Sequence, residues 1–208
     1  MMKIDELKIL YEDNHIIVVI KPENVLSQAD ITNDLDMLTI IKEYIKVSKN
    51  KPGNVYLGLV QRLDRRVGGV MVFAKTSKAA SRLSEDIRNR NFEKEYLALV
   101  LGEVNGCGVL ENKLEKVDSK AKESEDGKYS KLEYEALEKI ILDSKVYTAL
   151  RINLITGRYN QIRSQLSLNN HPIINDFKYG YRGKNYNDCL GLFCFRIAFS
   201  HPVTKEKM

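Results

Sequence analysis

The sequence predicts a mixed α/β (α+β) fold with a largely antiparallel sheet and flanking helices. Three observations point there. Strand-like apolar runs outnumber helical ones, two such runs flank a turn signal at Asp143-Ser144, and no regular strand–helix–strand alternation appears. The 208 residues are 43% apolar and 29% charged, enough for one sizeable core. No boundary divides the chain, so a single domain over 1–208 is expected, without an N-terminal S4-type extension.

HIIVVIKP (15–22) reads as a buried strand stopped by Pro22. LDMLTIIKEYIKVS (35–48) places Leu35, Leu38, Ile41 and Ile45 at helical spacing. VYLGLV and GVMVFAKT read as strands on either side of an arginine-rich turn, with Gly68-Gly69 turning the chain before Val70. A helix is expected from Ser77, with Leu83 and Ile87 inward, then a strand over FEKEYLALVLG (92–102). The charged stretch 115–128 reads as a mobile loop. KLEYEALEKIIL and KVYTALRINLIT form the hairpin around Asp143-Ser144. In its second strand Val146, Thr148, Leu150, Ile152 and Leu154 alternate with Tyr147, Ala149, Arg151 and Asn153, which predicts one buried face. A helix over about 158–169 carries Tyr159, Ile162 and Leu166 as its stripe, with Arg163 off it. LGLFCFRIAFS is the last strand.

No apolar run approaches the roughly 18 residues of a membrane helix. The opening MMKIDELKILYEDN mixes acids and bases without an apolar signal region, so a cytoplasmic location is expected. Three cysteines and three histidines, widely spaced, offer neither zinc-ligand spacing nor a disulfide framework. Chemistry without a metal is the expectation, and His171 before Pro172 reads as a turn residue.

The net charge of +5 is unevenly spread. Residues 61–90 hold eight bases and three acids, and residues 151–185 hold six bases against Asp176 alone. Between them, residues 111–140 hold seven bases and nine acids. Two arginine-rich segments flanking a slightly acidic one suggest a polyanion footprint built from both.

Inside the first segment, QRLDRRVGGVMVFAKT sets Asp64 among Arg62, Arg65 and Arg66. Guanidinium neighbours favour a charged carboxylate, which suits a nucleophile or base better than a general acid. From charge pattern alone, a salt-bridged surface aspartate is the stronger explanation.

That segment resembles the RLD motif of the RluA-type RNA pseudouridine synthases, and four further blocks follow the same order. They are DNHIIVVIKPENVLSQ before it, then KEYLALVLGEV, LITGRYNQIRSQLSLNNHPIINDFKYG and RIAFSHPVTKE after it, together reaching from residue 13 to 206. The resemblance implies a pseudouridine synthase-like fold with a central active-site cleft. It implies isomerisation of specific uridines in ribosomal or transfer RNA by an aspartate, with no cofactor. Asp64 matches the reacting carboxylate. Tyr96 would stack on the extruded uracil, and Arg163, from QIR, would pair with Asp64 and orient it. Arg62 would enter the RNA stack where the target nucleotide leaves, with Arg65 and Arg66 as its rivals for that role or for phosphate contact and Arg158 as a further RNA contact. Lys21 of the KP turn would support the active-site floor. RNA is the expected partner of a monomer with no obligate protein companion.

Gln61 and Asn160 stand where the family usually has histidines, and Asn175 and Phe177 alter the pattern around Asp176. These departures bear on the RNA target. The competing reading is a non-catalytic RNA-binding protein that keeps the fold. A glycosidase-like hydrolase would need a second carboxylate beside Asp64, and the matched motifs offer none.

Overall fold

In the computed structural model, residues 6–32, 34–50 and 52–208 are described. They form two compact units, one of residues 1–92 with 197–208, the other of residues 93–196.

The first unit is built on β1 (Lys8–Glu12), β2 (Ile16–Lys21), β3 (Gly58–Leu59) and β4 (Gly68–Ala74), with α1 (Met37–Ser48) and α2 (Ser77–Arg88). β2 lies between β1 and β4, antiparallel to both, and the short β3 pairs with β4. Every residue of β4 is buried. Such two-sided burial requires a continuous apolar run rather than an alternating one, and GVMVFA supplies it. Val18, Val72, Leu83, Phe92 and Phe199 share one core cluster, in which the Phe92 and Phe199 rings stack 5.2 Å apart. Both helices start on side-chain caps. Asp36 accepts from Thr39 N, and Thr76, one residue before the expected Ser77, accepts from Ala79 N. Leu35 therefore precedes α1, whose buried face is Met37, Ile40, Ile41 and Ile45.

The second unit runs through β5 (Glu93–Leu101), β6 (Cys107–Val117), β7 (Lys120–Glu123), β8 (Lys128–Leu142), β9 (Lys145–Leu154) and α3 (Gln161–Leu168) into β10 (Leu192–Ala198), whose last two residues belong to the first unit. The strand order is β10-β5-β9-β8-β6-β7. The Asp143-Ser144 hairpin forms as expected, with both residues at positive φ, 47° and 60°. The segment expected to be a loop, 115–128, is instead largely paired: β6 turns into β7 through Asp118-Ser119, again both at positive φ. Only Leu114 and Ala121 turn inward there, so the alternation is too sparse to read against the surrounding charge.

Two further expectations shift. Tyr159 lies outside α3, 37% exposed, with its hydroxyl donating to the Ser119 carbonyl. α3 is buried around its circumference from Gln161 to Leu166, not along one stripe. Among the described residues, no helix is long and apolar enough to cross a membrane.

Candidate active site

Asp64 opens a turn in which its carbonyl accepts from Val67 N at 3.0 Å, with Arg65 and Arg66 at the tip. The chain therefore reverses at the arginines, and Gly68-Gly69 belong to β4 rather than to the turn. Gly69, at φ 138°, sits opposite Lys21 in the β2–β4 ladder, a backbone position that favours glycine.

Both flanks of Asp64 are fastened through the backbone. On one side the Ser27 hydroxyl donates to the Leu63 carbonyl (2.8 Å) and accepts from the Leu63 N–H (3.1 Å). On the other, the fully buried Lys21 ammonium donates to the carbonyls of Arg65 (3.1 Å), Pro22 (2.9 Å) and Val25 (2.7 Å). A buried ammonium is tolerated only when such acceptors surround it. Lys21 thus ties the end of β2 to the arginine turn. Ser27 was not legible as a site residue, since a lone serine after a KP turn carries no periodic or charge signal.

Asp64 itself is partly exposed, Arg66 likewise, and Arg62 and Arg65 are exposed. Arg65 Nη1 meets Asp34 Oδ2 at 2.6 Å, a pairing between two side chains each 45% exposed. At that exposure the pair contributes about 0–1 kcal/mol and can be exchanged for another anion.

In the second unit, Tyr96 lies on β5 opposite Ile152 of β9 and is 6% exposed. Cys194 of β10 is close by. Burial pushes its thiol up to about 12, against the smaller opposing influence of the Tyr96 hydroxyl and the Lys94 amine.

Arg163, on the first turn of α3, forms a two-pronged ion pair with Asp176: Nε to Oδ2 at 2.7 Å and Nη2 to Oδ1 at 2.8 Å. The Asp176 side chain is 0% exposed and that of Arg163 9%. The guanidinium carbon lies 4.8 Å from the centroid of the Tyr179 ring. Tyr179 in turn accepts from Ala121 N and from Asn160 Nδ2. Burial raises its phenol above the ordinary range. Gln161 organises the turn before the helix: its carbonyl oxygen accepts from Thr156 Oγ1 (2.8 Å) and Arg158 N (3.0 Å). Arg158 is exposed, and its Nε donates to the Tyr129 carbonyl at 3.0 Å. Asp176 had one legible sign, as the lone acid in a basic segment.

His171 follows the Asn169-Asn170 turn that ends α3, its Nδ1 3.1 Å from the Leu101 carbonyl. Among the described residues, no three His, Cys, Asp or Glu side chains cluster so as to hold a metal ion.

Residues 15–168 match the family described as RNA pseudouridylate synthase. The chain is 30% identical over 217 residues to the ribosomal large subunit pseudouridine synthase C of Vibrio vulnificus, covering 99% of this chain and 66% of that protein. It is 31% identical over 215 residues to synthase C of Escherichia coli K12, covering 96% and 64%. The chain thus spans just under two thirds of the length of these relatives. In fold it is similar to human RNA pseudouridylate synthase domain containing 1, with a TM-score of 0.80 at 21% identity, over 100% of this chain and 83% of that one. Human RNA pseudouridylate synthase domain containing 4 gives 0.77 at 21% identity, over 97% and 86%. A carboxylate braced in an arginine turn, a strand tyrosine and a buried helix arginine thus lie in a chain matched along most of its length, and the chain belongs to the RNA pseudouridylate synthase family.

Proposed function

We propose that this chain isomerises uridines in RNA to pseudouridine, with Asp64 as the reacting carboxylate. The observation that carries the reading is the brace around Asp64. Ser27 and Lys21 fix the backbone on both sides of it, within a stretch covered by the family match. Catalysis by positioning requires such fixing of a reacting group before substrate arrives.

The reaction breaks the N1–C1′ bond, turns the uracil and joins C5 to C1′, with no net gain or loss of atoms. It calls for no cofactor. Asp64 acts on C1′, on the uracil ring or on a sugar proton. Tyr96 provides the stacking surface for the extruded base, and Arg163 the guanidinium of the set. Arg62, Arg65, Arg66 and Arg158 contact phosphate or enter the RNA stack. The similarity to ribosomal large subunit synthases favours large-subunit ribosomal RNA over transfer RNA. The family match crosses the boundary between the two units, which supports reading 1–208 as one catalytic module. The module acts as a monomer in the cytoplasm.

Incubation of the protein with unmodified ribosomal and transfer RNA, followed by pseudouridine mapping, tests this. New pseudouridine at discrete positions of the large-subunit RNA is expected. RNA that is bound tightly yet never modified would instead support the non-catalytic binding protein.

A further inference from the structure

β5 carries four charged or phenolic side chains in a row, and they divide sharply by face. Glu93 and Glu95 point to one side, where Arg151 and Arg196 take both carboxylates. Lys94 and Tyr96 point to the other, since alternate residues of a strand share a face. There the Lys94 amine has no hydrogen-bond acceptor and no carboxylate at bonding distance among the described residues. Beside it lie the buried, neutral Cys194 thiol and Gly157, where an added Cβ would lie 3.2 Å from Nζ.

A partly buried amine without a protein acceptor is left to find its hydrogen-bond partner in water or in a ligand. Burial accordingly holds Lys94 below the usual lysine range. The amine is nevertheless approachable, because Gly157 is exposed and offers no side chain to cover it. Its contrast with Lys21 is instructive: that ammonium is fully buried but collects three carbonyls. Lys94 has the donor and the desolvation without the acceptor.

Resting on the proposed reaction, we infer that Lys94 is a further catalytic residue, donating a hydrogen bond to a uracil carbonyl oxygen of the base that stacks on Tyr96. Breaking N1–C1′ leaves the electron pair on N1, spread onto the O2 and O4 carbonyls. Addition of a carboxylate at C6 would place negative charge on O4 instead. In either route a donor beside the stacked ring meets charge that develops only as bonds change. C5 then bonds to C1′, the C5 proton leaves, and N1 gains one. Lys94 itself exchanges no atom with the substrate.

Lys94→Met keeps the aliphatic stem and removes the donor. Removal of a preorganised donor to developing charge costs about 100-fold in kcat, so tritium release from C5-labelled RNA should slow by about that factor. KM should stay within about threefold. Because the amine has no acceptor in the protein, the melting temperature should hold or rise. A kcat within about twofold of wild type, or a melting temperature lowered by about 3 °C or more, would overturn the inference. Failure of wild-type turnover would count against the proposed reaction instead, and a second measurement then still decides about Lys94. Saturating uridine-containing RNA should protect Lys94 of the wild-type protein from amine acylation, while RNA of the same length without uridine should not. Equal protection by both would assign the amine to phosphate, and no protection by either would remove it from the substrate; both results contradict the inference.

Discussion

Arg163 and Asp176 form a deeply buried pair of charges in the second unit, and their geometry shows how the cost of burial is met. Both charges are almost fully removed from water, and two parallel N–H···O bonds with an aromatic face beneath the guanidinium compensate. Asp176→Ala would take two charge-assisted hydrogen bonds from a guanidinium that is almost fully removed from water, so it should destabilise the protein by about 3–5 kcal/mol. Urea denaturation followed by circular dichroism would register that loss; a change below about 1 kcal/mol would contradict the compensation argument. At this scale the sequence was partly legible. Asp64, Tyr96 and Arg163 stand out because motifs quote them, whereas Ser27 and Asp176 act through backbone clamping and a buried ion pair, which leave no spacing to detect. Lys94 lies within KEYLALVLGEV but carries no signal of its own there, because its lack of an acceptor exists only in three dimensions.

The elements show where periodicity informs and where it fails. β2 and β4 were readable because burial on both faces demands unbroken apolar runs. The β6–β7 hairpin was hidden because two inward residues, Leu114 and Ala121, are all that its strands contribute to the core. In β9 the alternation holds from Thr148 to Leu154 but fails at its start. Val146 is 37% exposed, while Tyr147 is fully buried, its hydroxyl 2.9 Å from that of the equally buried Tyr181. A tertiary contact with residues far along the chain overrides the local pattern there. The turn between β8 and β9 holds two non-glycine residues at positive φ, a conformation costing L-residues about 1–2 kcal/mol each. Ser144→Gly should therefore stabilise the protein by about 0.5–1 kcal/mol, as two-residue turns of this kind favour glycine. An unchanged or lower urea midpoint would contradict that view of the turn.

For the whole molecule, the mixed antiparallel fold and the order of motifs were legible from the sequence. The division into two compact units was not, because no linker composition marks residues 92–93 or 196–197. Charge pairing extends through both units and sets the response to acid. Burial of Glu95 opposes its charge, yet hydrogen bonds and charge from Arg151 and Arg196 outweigh burial and lower the carboxyl from its ordinary 4.5. Glu12 behaves alike in the first unit, where burial is outweighed by Lys75 and Tyr44. A lowered carboxyl binds protons less readily folded than unfolded, so the stability it contributes is present above about pH 4.5 and lost as pH falls through the folded value. Denaturation midpoints should drop across that window, and Glu95→Gln should flatten the drop; an identical acid profile in the variant would contradict the assignment.

The central claim concerns one carboxylate, and one comparison tests it most directly: tritium release from C5-labelled RNA by wild-type protein and by Asp64→Asn. The account predicts release by the wild type and none above background by the variant, with RNA affinity within about twofold, because the substitution removes the reacting charge and leaves the Ser27 and Lys21 clamps in place. Release by the variant at the wild-type rate would contradict it.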